Sequence, residues 1–330
     1  MVMKFRTTFE IEPSKHKVDY STPVMFIGSC FASEMGNMMS AGKMLVNINP
    51  AGTVFNPVSV LNTLDIIIKN KKLGKRDLYN YKGTFLSFLH YSSFNSENPE
   101  RVLEKINEST RRAHDFLRKA EFLFVTFGTS RVFRFNESGE IVSNCHKIPS
   151  SVFTRELLTP GQIAVDWDEM LGRLESFNKK LKIIFTVSPV RHWKDGAHGN
   201  QVSKSALFLA IETLLEHKST GYFPAYELIM DDLRDYRFYD TDMIHPSGEA
   251  ISYIWDAFRN CYFDPETSQL WKEIYGITMA MNHRFISDSP AARREFAETM
   301  LKKIGTLGRK NREIDFSGEI AYFISVRENN

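Results

Sequence analysis

The chain has 330 residues, enough for one large core or for one domain with appendages, and its 42% hydrophobic and 25% charged content is that of an ordinary globular protein. A net charge of +2 gives no electrostatic reason to expect nucleic acid or an acidic partner, and no window approaches the ~18 apolar residues of a membrane span. Three widely spaced cysteines, Cys30, Cys145 and Cys261, argue against a disulfide framework and a structural zinc site, and the opening Met1-Val2-Met3-Lys4-Phe5-Arg6-Thr7 has no signal-peptide core, so a cytoplasmic protein with reduced thiols is expected.

The first predicted element is a short apolar run, Val24–Ile27, that ends in Gly28-Ser29-Cys30 and passes at once into a helical pattern at Ala32-Ser33-Glu34-Met35. Strand, tight turn and helix hold a side chain at a helix N-terminus, where N–H groups and the dipole favour a thiolate or an oxyanion. A second strand is predicted at Met44–Ile48, then a helix over Val58–Lys69 with Val58, Leu61, Leu64 and Ile68 on one stripe. Leu78–Phe94 is aromatic and turn-rich, with Lys82-Gly83 as a hairpin tip. A helix follows over Pro99–Lys119, and the near-continuous hydrophobicity of Phe122–Phe127 fits a central parallel strand. Arg131–Pro160 is strand-like and then irregular. Beyond it come a helix at Asp166–Lys180, a strand at Ile183–Val187, a helix at Lys204–Glu216, a fifth strand at Tyr222–Met230 and a helix at Gly248–Phe258. From about Asp264 the pattern is helical over Thr267–Tyr275 and Pro290–Ile304, with Phe316–Val326 reading as one more strand.

Strands alternating with helices imply a parallel sheet covered on both faces. The expected division is a main domain over 1–262, with insertions at about 75–95 and 131–160 lining the ligand crevice, and a helical appendage over 263–330. Asp242-Met243-Ile244-His245 supplies an Asp and a His three apart, as an acid–base pair requires, with Cys30 and Ser29 as candidate nucleophiles and Asp240 as a competing turn residue. Arg191 and His192 follow the fourth strand, where a cation meets a substrate carboxylate, phosphate or sugar hydroxyl, and Asn56, Asn200 and His90 lie on or near the candidate binding loops. Cys145-His146 has no partner spacing for a metal, and no glycine-rich phosphate loop follows any strand, so neither a metal nor a cofactor is expected.

The string Gly28-Ser29-Cys30-Phe31-Ala32 resembles the signature of the GSCFA family, a bacterial family within the GDSL/SGNH hydrolase superfamily. The resemblance continues through Asn49–Pro57, Phe127–Ser130, Asn144–Lys147, Ser188–His192 and Asp242–His245, roughly residues 20–260. It implies a three-layer α/β/α sandwich with a five-stranded parallel sheet, flavodoxin-like and of the SGNH hydrolase type, plus a C-terminal helical extension. The superfamily's first block, Gly-Asp-Ser in typical members, aligns with Gly28-Ser29-Cys30, which puts Cys30 at the nucleophile and Ser29 at the usual Asp. The oxyanion glycine maps to Gly52, the Gly-x-Asn block reads Gly128-Thr129-Ser130, and the Asp-x-x-His block is Asp242 and His245. The Cys30 N–H and Ser130 join Gly52 as implied oxyanion donors, while the Asn144–Lys147 motif makes His146 and Lys147 pocket-lining candidates. The implied activity is hydrolysis of an acyl ester, or acyl transfer, on a small-molecule or glycan ester. The missing block Asp and oxyanion Asn favour a second reading, a non-catalytic module binding a glycan or acyl ligand on a degenerate hydrolase fold.

Overall fold

The computed structural model describes residues 6–282 and 289–328. In chain order, β1 (Val24–Gly28) leads into α1 (Cys30–Ala41), followed by β2 (Val46–Ile48) and α2 (Pro57–Ile68). A hairpin of β3 (Tyr79–Tyr81) and β4 (Thr84–Leu86) precedes α3 (Pro99–Leu117). After β5 (Phe122–Phe127) come three short strands, β6 (Arg131–Phe135), β7 (Ile141–Val142) and β8 (Phe153–Leu157). The chain continues through α4 (Pro160–Phe177), β9 (Lys182–Val187), α5 (Gly196–Leu214), β10 (Thr220–Tyr222) and a short α6 (Ala225–Glu227). It ends in α7 (Gly248–Tyr262), α8 (Pro265–Ala280), α9 (Pro290–Lys310) and α10 (Ser317–Glu328).

The main sheet has the order β10-β9-β5-β1-β2 with every pairing parallel, as in flavodoxin-like folds. The order reverses between β1 and β5, so a crevice opens at the carboxyl ends of those two strands. Both strands are buried throughout, and alternate side chains serve opposite layers. Met25, Ile27, Leu123 and Val125 pack with Leu64 of α2, Leu117 of α3 and Trp167 of α4. On the other face Phe26 and Phe124 pack with Phe31 of α1 and Phe258 of α7. Each such side chain contributes about 1.5–3 kcal/mol of burial, so the sheet is a rigid floor for whatever its strand ends carry.

The structure corrects three expectations. The fifth strand covers only Thr220–Tyr222; Pro224 follows, which lacks an N–H for a ladder, and the chain turns into α6 and a π-helical turn at Leu228–Asp232. The expected strand at Phe316–Val326 is instead the helix α10 from Ser317, and its Phe323 buries with Phe316, just before the helix, and with Ile304 and Leu307 of α9. The Arg131–Pro160 insertion is regular, a three-stranded antiparallel sheet in the order β7-β6-β8. Its Phe135, Val142 and Phe153 share a small core with Leu86 of the β3–β4 hairpin, whose tip residues Lys82 and Gly83 both adopt positive φ, as a two-residue turn requires. The C-terminal helices dock on the end of α1, where Trp271 Nε1 donates to the Met38 carbonyl at 3.1 Å and Thr278 Oγ1 to that of Ala41 at 2.8 Å. No described helix is long and apolar enough to cross a membrane.

Candidate active site

The turn after β1 is locked from three sides. Gly28 has φ +144°, and a Cβ there would lie 2.1 Å from the Thr126 carbonyl oxygen, so only glycine fits. Its N–H donates to Asn49 Oδ1 at 2.8 Å, while Asn49 Nδ2 donates to Ser33 Oγ at 2.8 Å. Its carbonyl accepts from the Val54 N–H at 3.0 Å, and the Ser29 N–H donates to the Thr126 carbonyl at 3.2 Å. Ser29 occupies the N-cap of α1 but caps nothing: it is 1% exposed and its Oγ has no hydrogen-bond partner. Cys30 opens the helix and is partly exposed. Burial pushes its thiol up, helped by the Glu34 carboxylate, against a downward pull from the N–H groups of Phe31 and Cys30 and from the Lys204 ammonium. The lowered thiol expected at a helix N-terminus is therefore not what results, because desolvation outweighs the N–H groups.

Asp242 and His245 form a closed unit before α7. His245 Nδ1 lies 2.6 Å from Asp242 Oδ2, and Asp242 Oδ1 accepts from the His245 and Ile244 main-chain N–H groups, both at 2.9 Å. The His245 N–H, then its ring N–H, then the Ile244 N–H hold the carboxyl down to about 2. An ionised partner makes Nδ1 the protonated ring nitrogen and leaves the Nε2 lone pair free. Met243 turns the chain with φ 57°, and Ser247 caps α7 by accepting from the Ala250 N–H. Asp240 accepts only from the neighbouring Thr241 N–H through its side chain and has no contact with the imidazole.

Cys30, Ser29 and His245 line one cavity of about 270 Å³, together with Arg191, His192 and Lys194. This brings together the ends of β1, β9 and the loop before α7, as the crevice predicts. Burial lowers the His192 imidazole, and the ring meets Phe55 edge-on with centroids 6.3 Å apart.

Other expected site residues are committed elsewhere. Ser130 is fully buried, and its hydroxyl donates to the Ser203 carbonyl and hydroxyl at 3.1 and 3.2 Å, so it offers the cavity no donor. The Gly52 N–H closes a turn on the Asn49 carbonyl at 2.7 Å. Asn56 is the buried N-cap of α2, accepting from the Ser59 N–H. Asn200 accepts from the His192 N–H at 2.8 Å and acts as a scaffold for that wall. His90 is buried beside Ser87 Oγ, and burial lowers it to about 4. His146 bonds Asn95 and the Ser87 carbonyl, and Lys147 is exposed; none of these three lines the Cys30 cavity. Among the described residues no group of three or more potential metal ligands occurs.

One buried group escaped the sequence reading. Lys204 of α5 is 2% exposed, and its Nζ donates to the carbonyls of Gly128 at 2.7 Å and Ser188 at 2.6 Å, the ends of β5 and β9. Both acceptors line the Cys30 cavity, so the amine sits one hydrogen bond beneath its floor. Burial pulls the ammonium down to about 7, partly offset by Cys30 and deepened by Arg191. The available signal was a charge on an apolar helical stripe: Lys204 shares its face with Leu207, Ile211 and Leu214.

A family model described as the GSCFA family matches residues 23–258. A search of curated proteins finds no match. Solved structures similar to the chain include a carbohydrate esterase family 3 protein from Talaromyces cellulolyticus, at 8% identity and a TM-score of 0.34, covering 76% of this chain and 99% of that one. Another is an acetyl xylan esterase from the rumen bacterium Butyrivibrio proteoclasticus, at 13% identity and a TM-score of 0.36, covering 73% and 64%. Likeness at this level transfers no chemistry from one protein to the other.

Proposed function

The chain belongs to the GSCFA family, and on that premise we propose that it cleaves or transfers acyl groups from esters through a Cys30–His245–Asp242 triad. The observation that carries this reading is the shared cavity: Cys30 and His245 face one space while Asp242 holds the far ring nitrogen of the imidazole. Because burial keeps the thiol protonated at rest, the His245 Nε2 lone pair takes the Sγ proton as the sulfur attacks the acyl carbonyl. The tetrahedral oxyanion faces the N–H groups of Cys30 and Phe31 at the start of α1. Collapse breaks the bond to the leaving oxygen, which takes the proton from Nε2 and departs as an alcohol. Water, or an acceptor hydroxyl, then loses its proton to Nε2 and attacks the thioester, releasing the acid or new ester and restoring the thiol. Ser29 is the weaker nucleophile candidate because its hydroxyl is buried and unpaired with any base. A glycan ester remains the substrate suggested by superfamily analogy.

The commitment of Ser130 and Gly52 to internal bonds favours the second reading, a binding module without turnover. A panel of p-nitrophenyl esters separates the two. Wild type and Ser29→Ala are expected to hydrolyse at least one of them, and Cys30→Ala to lose about 10³-fold or more in kcat. Equal, catalysed rates in wild type and Cys30→Ala would overturn the Cys30 mechanism, and no rate above the uncatalysed one in wild type would leave the binding module as the better account.

A further inference from the structure

The charged side chains that line the Cys30 cavity are all cationic. Arg191 and Lys194 line it beside two histidines, and no carboxylate does. Asp195, next in sequence to Lys194, has an ion pair with Arg155, lies 3.4 Å from Arg131 Nε and 4.0 Å from His192 Nδ1, so it is shared between the insertion sheet and that histidine and does not line the cavity. Lys204 beneath the floor has only carbonyl acceptors. The decisive group is Arg191. Its guanidinium carbon lies 4.5 Å from the centroid of the Trp193 ring, a stacking that fixes the plane but satisfies no N–H. Its Nε is buried without an acceptor, and no ion pair joins it to a carboxylate among the described residues. Arg191 and Trp193 also line a neighbouring cavity of about 760 Å³, whose wall carries Glu227, Asp231 and Asp235 beside Arg234, so the guanidinium stands between the acyl site, which no carboxylate lines, and an acidic space to which no ion pair among the described residues ties it.

Half-burying a cation without a counter-charge is costly, and the cost is removed when a ligand supplies the charge. A planar guanidinium held edge-free suits two oxygens of a carboxylate or a phosphate. Resting on the acyl-transfer reading above, we propose that the substrate is anionic: it carries a carboxylate or phosphate beside the acyl group, and Arg191 receives that anion. Lys194, exposed at the rim, adds to the attraction without defining the geometry.

The first test is thermal unfolding in inorganic phosphate or succinate against sodium chloride of equal ionic strength. The readout is the difference between wild type and Arg191→Met, since phosphate also stabilises proteins by exclusion from their surface. Wild type is expected to gain about 2 °C more than the variant at ten times the dissociation constant. A gain with phosphate alone identifies a phosphate group, and one with succinate alone a carboxylate. Equal gains in both proteins would overturn the assignment. The second test compares alkylation of Cys30 by iodoacetate, an anion, and iodoacetamide, which is neutral. The rate ratio is expected to exceed that of a free thiol about tenfold in wild type and to return to it in Arg191→Met; a wild-type ratio at or below the free-thiol value counts against the proposal. A Cys30 that neither reagent reaches would contradict the thiol mechanism alone, and the unfolding comparison would still decide the anion site.

Discussion

At the scale of single residues, Asp242 and Lys204 carry the sharpest predictions. Asp242 stays ionised down to about pH 2, so protonation of this carboxylate does not account for a loss of activity at any higher pH. Asp242→Asn frees the imidazole to adopt the other tautomer, and kcat is expected to fall about 10²–10⁴-fold with KM little changed, measured by steady-state kinetics. Lys204 makes a different kind of prediction. The folded state releases its proton near pH 7, the unfolded chain near 10.5, so between those values the unfolded state binds more protons. Stability therefore rises with pH across that window, by up to ~1.4 kcal/mol per unit. Lys204→Met is expected to lack that slope. Urea unfolding of both proteins at pH 7 and pH 9 measures it, and parallel changes would mean that Lys204 titrates normally.

At the scale of elements, the strand-turn-helix of β1 and α1 was legible because every local signal agrees: an apolar run, a glycine the turn requires, and a helix starting at once. The Asp-x-x-His unit was equally legible, since its partners are three residues apart and fold onto each other through local bonds. Ser130 and Gly52 were read into the cavity because sequence order says nothing of which way a hydroxyl points or which N–H a turn consumes. Arg191 and Lys204 lie about a dozen residues apart in loop and helix, and their spacing does not show that neither has a carboxylate partner among the described residues. The strand expected at Tyr222–Met230 was overextended because Leu228 and Ile229 bury from a helical turn as well as they would from a strand. Gly28→Ala tests the turn directly: with a Cβ against the Thr126 carbonyl and φ +144°, a loss of about 2–4 kcal/mol is expected in a denaturant titration. A change within 0.5 kcal/mol would mean that the turn relaxes freely.

At the scale of the whole molecule, the layers are tied together. Trp271 of α8 packs in the same core as Trp255 of α7 and Phe31 of α1, while Ile274 and Ile277 of the same helix serve the core of α9 and α10. We therefore propose that the segment expected as an appendage unfolds with the main body, in one calorimetric transition, and that Trp271→Ala lowers that transition, at a cost of about 3–5 kcal/mol. Two separated transitions in the wild type would instead support an independent C-terminal unit. The triad itself is tested most directly by trapping its covalent intermediate. Wild type, Cys30→Ala and His245→Ala would be mixed briefly with p-nitrophenyl acetate, quenched in acid, digested and sequenced by mass spectrometry. The account predicts one acetyl group on Cys30 in wild type, labile to neutral hydroxylamine as a thioester is, none at that site in Cys30→Ala, and accumulation slowed about 10²–10⁴-fold in His245→Ala. An acetyl group on Ser29, or labelling of Cys30 at the same rate without His245, would contradict it.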